Sequence, residues 1–300
     1  MTEPTAADMQ AVKNRPTPRQ MMYVRFRAHR GFQIGLFVLV AIILMALFAP
    51  LLAPHDPYTQ NLSIRLTDPV WGMNGTWVHP LGTDDLGRDY LSRMIYGSRV
   101  ALIIGFSTIA ISGFIGTVLG VMAGYFGGRV DMVISFLILN RLSLPLILIA
   151  LAVVASIGNS LMIVILVLGF LLWDRFAVVM RSATMQVRNM EYVAAAEVLG
   201  ARTSRILYKD IFPNVLNQLI VVATLEMAHA ILLEAAMSFL GLGVQPPLPS
   251  WGLMVSEASK FMFFKAWMVT IPGSAIFLLV LAINLLGDGV RDIAAPESRN

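Results

Sequence analysis

The sequence predicts an all-α polytopic membrane protein with six transmembrane helices, and three observations carry that prediction. Of its 300 residues, 57% are hydrophobic and only 13% charged, an apolar excess that a soluble domain of this length has no use for. Several apolar runs exceed the ~18 residues that mark a spanning helix. Lys and Arg are divided unevenly between alternate loops, as expected of a chain that crosses a bilayer repeatedly. The absence of cysteine removes disulfides and thiolate metal sites but leaves the compartment open.

Residues 1–31 read as a cytoplasmic N-terminal tail, with Lys13, Arg15, Arg19, Arg25, Arg27 and Arg30 set against Glu3 and Asp8. Residues 32–53 form the first transmembrane helix. Their apolar run is longer than the roughly 7–15-residue core of a cleaved signal peptide. Residues 54–98 make the longest loop, on the outer side, rich in Pro, Asp, Gly and Trp. Near its end, Leu86, Tyr90, Leu91, Met94 and Ile95 recur at helical spacing, with Asp84 or Asp85 placed to cap the start. That pattern predicts an amphipathic helix lying against the outer membrane face. Asp84, Asp85 and Asp89 lack the alternating spacing and glycine of a calcium loop, so no calcium site is read there. Residues 99–290 form the core, with five further spans at about 100–126, 133–155, 161–179, 214–236 and 266–286. The third is interrupted by Asn140, Arg141 and Pro145. Residues 291–300 form a cytoplasmic tail. With this topology fifteen of the 22 Lys and Arg lie on inner segments and six on outer ones, while Arg141 lies within a span.

The stretch RNMEYVAAAEVLGARTSRILYKDIFP, residues 188–213, is polar and basic between apolar runs. Residues 192–198 favour helix, Gly200 supplies a C-terminal stop, and a second helical turn is expected over 202–209. Pro213 suits the first turn of the following helix, where its missing N–H costs nothing. The result is a helix–turn–helix knob at the membrane surface, presenting the small side chains of residues 194–196.

This knob resembles the cytoplasmic "EAA" loop of permease subunits of bacterial ATP-binding-cassette importers. Ala195, Ala196, Gly200 and Pro213 fall on the family pattern; Ala194 stands where Glu is usual, Phe212 where Leu is usual, and Glu191 and Glu197 flank the site. HPLGTDDLGRDYLSR and EAAMSFLGLGVQPPLPSWG, together with GYFGG and GDGVRD, are similar to the "C"-type subunit of the dipeptide, oligopeptide and nickel permease group, from about residue 32 to 293. Phe136 and Leu139 replace an Arg and an Asp of that group's third span. The resemblance implies a type I ABC importer (MetI-like) permease fold in the bacterial inner membrane, with both termini cytoplasmic. It implies a homologous permease as heterodimer partner, two ATP-binding subunits and an extracytoplasmic solute-binding protein, with short peptides or similar small solutes as cargo. Glu191, Ala194, Ala195, Ala196, Glu197, Gly200, Ala201 and Pro213 would then meet the ATPase. Gln245, Pro246, Pro247 and Trp251, in a stiff outer loop, would lie where the binding protein docks.

Catalytic chemistry is missing from the sequence. No Gly-Lys dipeptide occurs, hence no G-x-x-x-x-G-K-[ST] phosphate cradle, so ATP and Mg belong to partner subunits. There is no H-E-x-x-H or G-x-S-x-G motif. The four histidines, at 29, 55, 79 and 229, suggest no metal site; His229, alone within a span, reads as packed and hydrogen-bonded. No cofactor or nucleic-acid partner is expected. Arg141, Glu226 and Glu234 are the intramembrane charges and the candidates for a translocation pathway. Arg141 lies roughly 12 Å along its span and Glu226 roughly 20 Å along its own, at ~1.5 Å per residue, close enough in depth to predict an ion pair. The alternative function is an ion- or proton-coupled secondary carrier using these charges. Six spans without a visible internal repeat favour a half-unit over a complete carrier.

Overall fold

The computed structural model describes residues 29–294. Lys13, Arg15, Arg19, Arg25, Arg27 and Arg299, and with them most of the proposed N-terminal tail, lie outside the described residues. Helix α1 (Arg30–Leu47) begins where the His29 side chain accepts the Phe32 N–H at 3.0 Å. A short turn, Ala49–Leu52, closes the first span.

The next helix differs from expectation. Residues 86–95 form no separate amphipathic helix on a surface: α2 (Tyr90–Phe126) is one continuous helix of 37 residues, ~55 Å long at ~1.5 Å per residue and so longer than the ~30 Å hydrocarbon layer. Its cap is Asp89, which accepts the Ser92 N–H at 2.8 Å, not Asp84 or Asp85. Tyr90, Met94 and Ile95 are buried against protein. An apolar stripe at helical spacing is satisfied equally by lipid or by a protein core, and here the core takes it.

Asp84 has a different task. Its Oδ1 accepts the Leu86 and Arg88 N–H groups, both at 2.9 Å, and its Oδ2 takes Arg88 Nε at 2.6 Å and Arg93 Nη1. Arg93 Nη2 reaches Glu257 at 2.9 Å. Two arginines and two carboxylates thus balance in a buried network tying the 54–89 segment to α2 and to the helix Trp251–Ala258. Asp85 sits beside it with a carboxyl raised above the usual range, by burial first and then by the Asp84 and Glu257 carboxylates.

Helices α3 (Gly128–Leu142) and α4 (Leu146–Ile157) replace the single third span and meet at 82°. Pro145 at the break has no N–H to donate and pushes Leu144 away from helical geometry. Helices α5 (Leu161–Leu171) and α6 (Trp173–Arg188) follow, nearly continuous across Leu172. Beyond them are α7 (Glu191–Val198), α8 (Phe212–Phe239), α9 (Trp251–Ala258) and α10 (Trp267–Ala294). α9 occupies part of what the sequence presents as loop. Among the described residues, five helices are long and apolar enough to cross a membrane, and the bent pair makes a sixth if it counts as one span.

The packing of α2 on α6 shows that it does. A β-carbon at Gly116 would lie 2.3 Å from the Trp173 carbonyl oxygen, at Gly120 2.5 Å from that of Ala177, and at Gly124 2.7 Å from that of Arg181. Backbone meets backbone every fourth residue, the small-residue contact by which helices associate where lipid supplies no hydrophobic drive. Both registers rise together, so α2 and α6 run in the same direction. The α3–α4 pair must therefore carry the chain back across before α5 begins, giving six crossings among the described residues.

Two substitutions probe these contacts. Gly120→Leu should sharply lower the unfolding temperature in detergent, because its side chain meets backbone rather than a movable side chain, whereas Gly273→Ala, with open space around it, should be tolerated. Asp84→Asn should destabilise by about 3–5 kcal/mol, since it strands buried arginines. Asp85→Asn should unfold at the wild-type temperature or above at neutral pH. A carboxyl with a raised pKa opposes folding once ionised: its penalty is absent in acid and sets in as pH rises from the unfolded toward the folded pKa.

Candidate functional site

Three groups of residues are candidates for function, and the 188–213 knob is the most completely formed. α7 ends in a left-handed turn, with Gly200 at φ +76°. The Ala201 N–H reaches the Ala196 carbonyl and the Gly200 N–H that of Glu197, both at 3.0 Å, the paired bonds of a Schellman stop. No atom lies within 4 Å of where a Gly200 β-carbon would stand, so backbone conformation and not space demands glycine here.

Below the knob is a buried floor of Val187, Val193, Ile206, Ile211 and Val215 with Tyr125 and Met180 from α2 and α6. Tyr125 Oη also donates to Glu197 at 3.2 Å. Above it, Glu191, Ala194, Ala195 and Gly200 are exposed, while Ala196 and Ala201 are half-buried against the floor. Val198 and Leu199 are 88% and 86% exposed, two apolar side chains facing outward at the tip of a fixed loop.

The second half of the knob is helical, as the sequence indicates, but wound more widely than expected. After a turn at Thr203–Arg205, the chain passes through a π-helical turn, Ile206–Ile211, directly into α8. Pro213 is the second residue of α8 and so lies in its first turn, as expected, although that turn continues straight from the π-helical one. The widened turn, in which the Phe212 N–H bonds Leu207 five residues back, accommodates a residue that a regular ladder would reject.

The intramembrane charges form the second group, and the structure corrects their pairing. Arg141 does not reach Glu226. Its Nε and Nη2 donate to the Leu171 carbonyl at 2.9 and 2.5 Å, satisfying an oxygen freed where α5 breaks into α6. Glu226, with a side chain only 2% exposed, instead takes Arg175 Nη1 at 3.2 Å and has His229 Nδ1 at 3.4 Å. Arg175 is 58% exposed, so this pair joins a buried carboxylate to an accessible cation. Sequence reasoning missed Arg175; the one signal was the Asp174–Arg175 doublet in the apolar fourth span. Glu234 is buried apart from these and accepts the Ser238 hydroxyl at 2.7 Å. Along α2, α6 and α8, an apolar groove of about 640 Å³ runs from Ile109 and Phe114 to Tyr208 and Phe212 at the knob.

The third group is the 241–252 loop. Pro246 and Pro247 are exposed, and the Gln245 amide donates to the Gly241 and Gly243 carbonyls at 3.1 Å. Trp251, expected among the residues where a binding protein docks, is turned inward. It is 2% exposed and its Nε1 donates to the Met94 carbonyl at 2.9 Å, so it locks α9 to α2 and offers no surface to a partner.

Comparison with known proteins agrees with this geometry. A family model described as "Binding-protein-dependent transport system inner membrane component" matches residues 116–300, and one described as "N-terminal TM domain of oligopeptide transport permease C" matches residues 17–69. The chain is 41% identical to the di/tripeptide transport system permease protein DppC of Pseudomonas aeruginosa, over 95% of this chain and 94% of the relative. It is 42% identical to the dipeptide transport system permease protein DppC of Escherichia coli K12, over 94% of each. Against the oligopeptide transport system permease protein OppC of Bacillus subtilis it is 35% identical, over 92% of this chain and 88% of the relative. Among solved structures, the MetNI methionine ABC transporter in inward-facing conformations superimposes with a TM-score of 0.51 at 18% identity, covering 66% of this chain and 93% of that one. The fold is thus the MetI-like fold of type I ABC importer permeases.

The corrected pairing has a direct check. Arg175→Glu and Glu226→Arg should each reduce the folded yield in membranes, and the double swap should recover much of it. The Arg141→Glu, Glu226→Arg double variant should recover nothing, because those side chains have separate partners.

Proposed function

The chain belongs to the family of binding-protein-dependent transport system inner membrane components, and on that premise we propose that it forms half of the translocation pathway of an ATP-driven importer of short peptides. The 188–213 knob is where separate ATPase subunits would act on it. The observation that carries this reading is the knob itself: a fixed, Schellman-terminated α7 on a buried floor, with Val198 and Leu199 turned outward. Apolar side chains that exposed, on a loop that well anchored, fit a groove on another protein. The floor includes Tyr125 of α2 and Met180 of α6, so a force on the knob passes directly to two spanning helices.

ATP and its Mg ion would be bound on the partners, because the sequence contains no phosphate-binding loop. The excess of Lys and Arg on the knob side supports placing the knob and both termini in the cytoplasm. The opposite end, with exposed Pro246 and Pro247, would face the solute-binding protein. A homologous permease would complete the pathway as a heterodimer and cover the open apolar groove. The relatives' names favour di-, tri- or oligopeptides as solutes. Membership of this family argues against the secondary-carrier reading.

Gly200→Val and Ala195→Arg test the proposal. The first puts a branched side chain in a left-handed turn, at about 1–2 kcal/mol; the second places a long cation on the presented face. Both should leave the protein in the membrane while reducing ATPase co-purification and ATP-driven peptide uptake. Wild-type uptake and wild-type recovery of the ATPase in both variants would refute it. Uptake should persist when the proton gradient is collapsed.

A further inference from the structure

The four histidines are scattered in the sequence, yet the fold gathers two of them with a carboxylate outside the spans. His79 Nδ1 lies 2.8 Å from Asp89 Oδ1, and His55 Nδ1 lies 3.6 Å from that same oxygen. The imidazole rings stand 4.5 Å apart, tilted by 35°. One nitrogen from each ring and one carboxylate oxygen all lie within 4.8 Å of one another. We propose that His55, His79 and Asp89 form a binding site for a divalent transition-metal cation of the zinc type.

The chemistry fits that class of ion. Two neutral imidazoles and one carboxylate make a borderline donor set suited to Zn²⁺, with bonds of roughly 2.0–2.2 Å. Ligand atoms around such a tetrahedral ion stand about 3.3 Å apart, a value that follows from those bond lengths. The observed 2.8 and 3.6 Å bracket it on the two carboxylate edges, and the edge between the imidazoles is within 4.8 Å, so ring rotation about the side-chain bonds would have to close that edge on an ion. A single carboxylate oxygen flanked by two Nδ1 atoms makes one good hydrogen bond at 2.8 Å and leaves the second imidazole at 3.6 Å, beyond hydrogen-bonding range. A cation between them would engage both.

The surroundings hold the ligands in place. Asp89 Oδ2 accepts the Ser92 N–H at 2.8 Å and its hydroxyl at 2.7 Å, which turns Oδ1 toward the histidines. The His55 N–H donates to that same Ser92 hydroxyl at 3.1 Å. Supports of this kind orient metal ligands and fix their tautomers. Arg88 and Arg93, the nearby cations, are turned away and engaged by Asp84 and Glu257. Side-chain exposure falls from 38% at His55 to 14% at His79 and 1% at Asp89, which gives the ion a route in from solvent and a position open to water. The three ligands come from the segment after α1, from the loop ahead of α2 and from the cap of α2. A bound ion would clamp these three pieces of chain together, which assigns the site a structural role.

The test uses the full chain in detergent, purified on a tag without histidine and stripped with EDTA. Zn²⁺ is titrated in competition with a chromophoric chelator, and unfolding temperature is read with and without the metal. One Zn²⁺ per chain is expected, with a rise in unfolding temperature that EDTA reverses. His55→Gln, at the most exposed ligand, and His79→Ala should each weaken binding by at least about tenfold and abolish the rise. Asp89→Asn should do the same while keeping the cap, since Asn serves there as well as Asp. Absence of stoichiometric binding to the wild type overturns the proposal. So does binding that survives both histidine variants, which would place the ion at His29 or His229 instead.

Discussion

The close contact of α2 with α6 is the constraint from which the rest of the architecture follows. Helices in lipid gain nothing from burying apolar side chains against each other, so they need backbone proximity or polar contacts to hold a register. Glycine at 116, 120 and 124 brings α2 onto the carbonyls of residues 173, 177 and 181, and that register leaves no freedom to slide. It also dictates a parallel run, and so forces the α3–α4 pair to return the chain between them despite its 82° bend. Arg141 then has a reason to exist. The same bend places it against the Leu171 carbonyl, where the α5–α6 break needs a donor.

α2 is long enough to engage both ends of the molecule. At one end its first turns lie within the Asp84, Arg88, Arg93 and Glu257 network and against Trp251; at the other, Tyr125 meets the floor of the knob and Glu197. A buried network of this sort is a weak source of net stability, because desolvation offsets much of the attraction. What it supplies is a fixed position for the 54–89 segment relative to a spanning helix. If the knob receives force from an ATPase, α2 is the continuous element by which that force reaches the opposite face.

Local features were legible in the sequence, and those that depend on rotation about a helix axis were not. The spans follow from apolar length alone. α7 and its Gly200 stop follow from a motif whose bonds all close within six residues. Tyr90, Met94 and Ile95 gave a correct period but the wrong environment, since spacing does not reveal whether lipid or protein covers the stripe. Trp251 failed for the same reason: an aromatic with a polar edge suits an interface or a buried carbonyl equally well. The π-helical turn before Pro213 has no sequence signature beyond the proline. The Arg141–Glu226 pairing rested on depth, and depth fixes one coordinate of a side chain while leaving its azimuth open. His55, His79 and Asp89 are separated by 24 and 10 residues of irregular chain, and only the fold brings them together.

Burial now separates the three intramembrane charges by role. Charge within the bilayer must be paired, bonded or wetted. Arg141 is committed to a helix-end carbonyl and Glu234 to Ser238, and each of those contacts accounts for its residue as architecture. Glu226 differs: one oxygen meets Arg175, whose side chain is more than half exposed, and the other approaches His229, which is about a third exposed. A buried carboxylate linked to two accessible basic groups is the one arrangement of the three that is open to exchange with water. Of the three, only Glu226 has partners that reach solvent, Arg175 and His229, on the facing surfaces of α6 and α8.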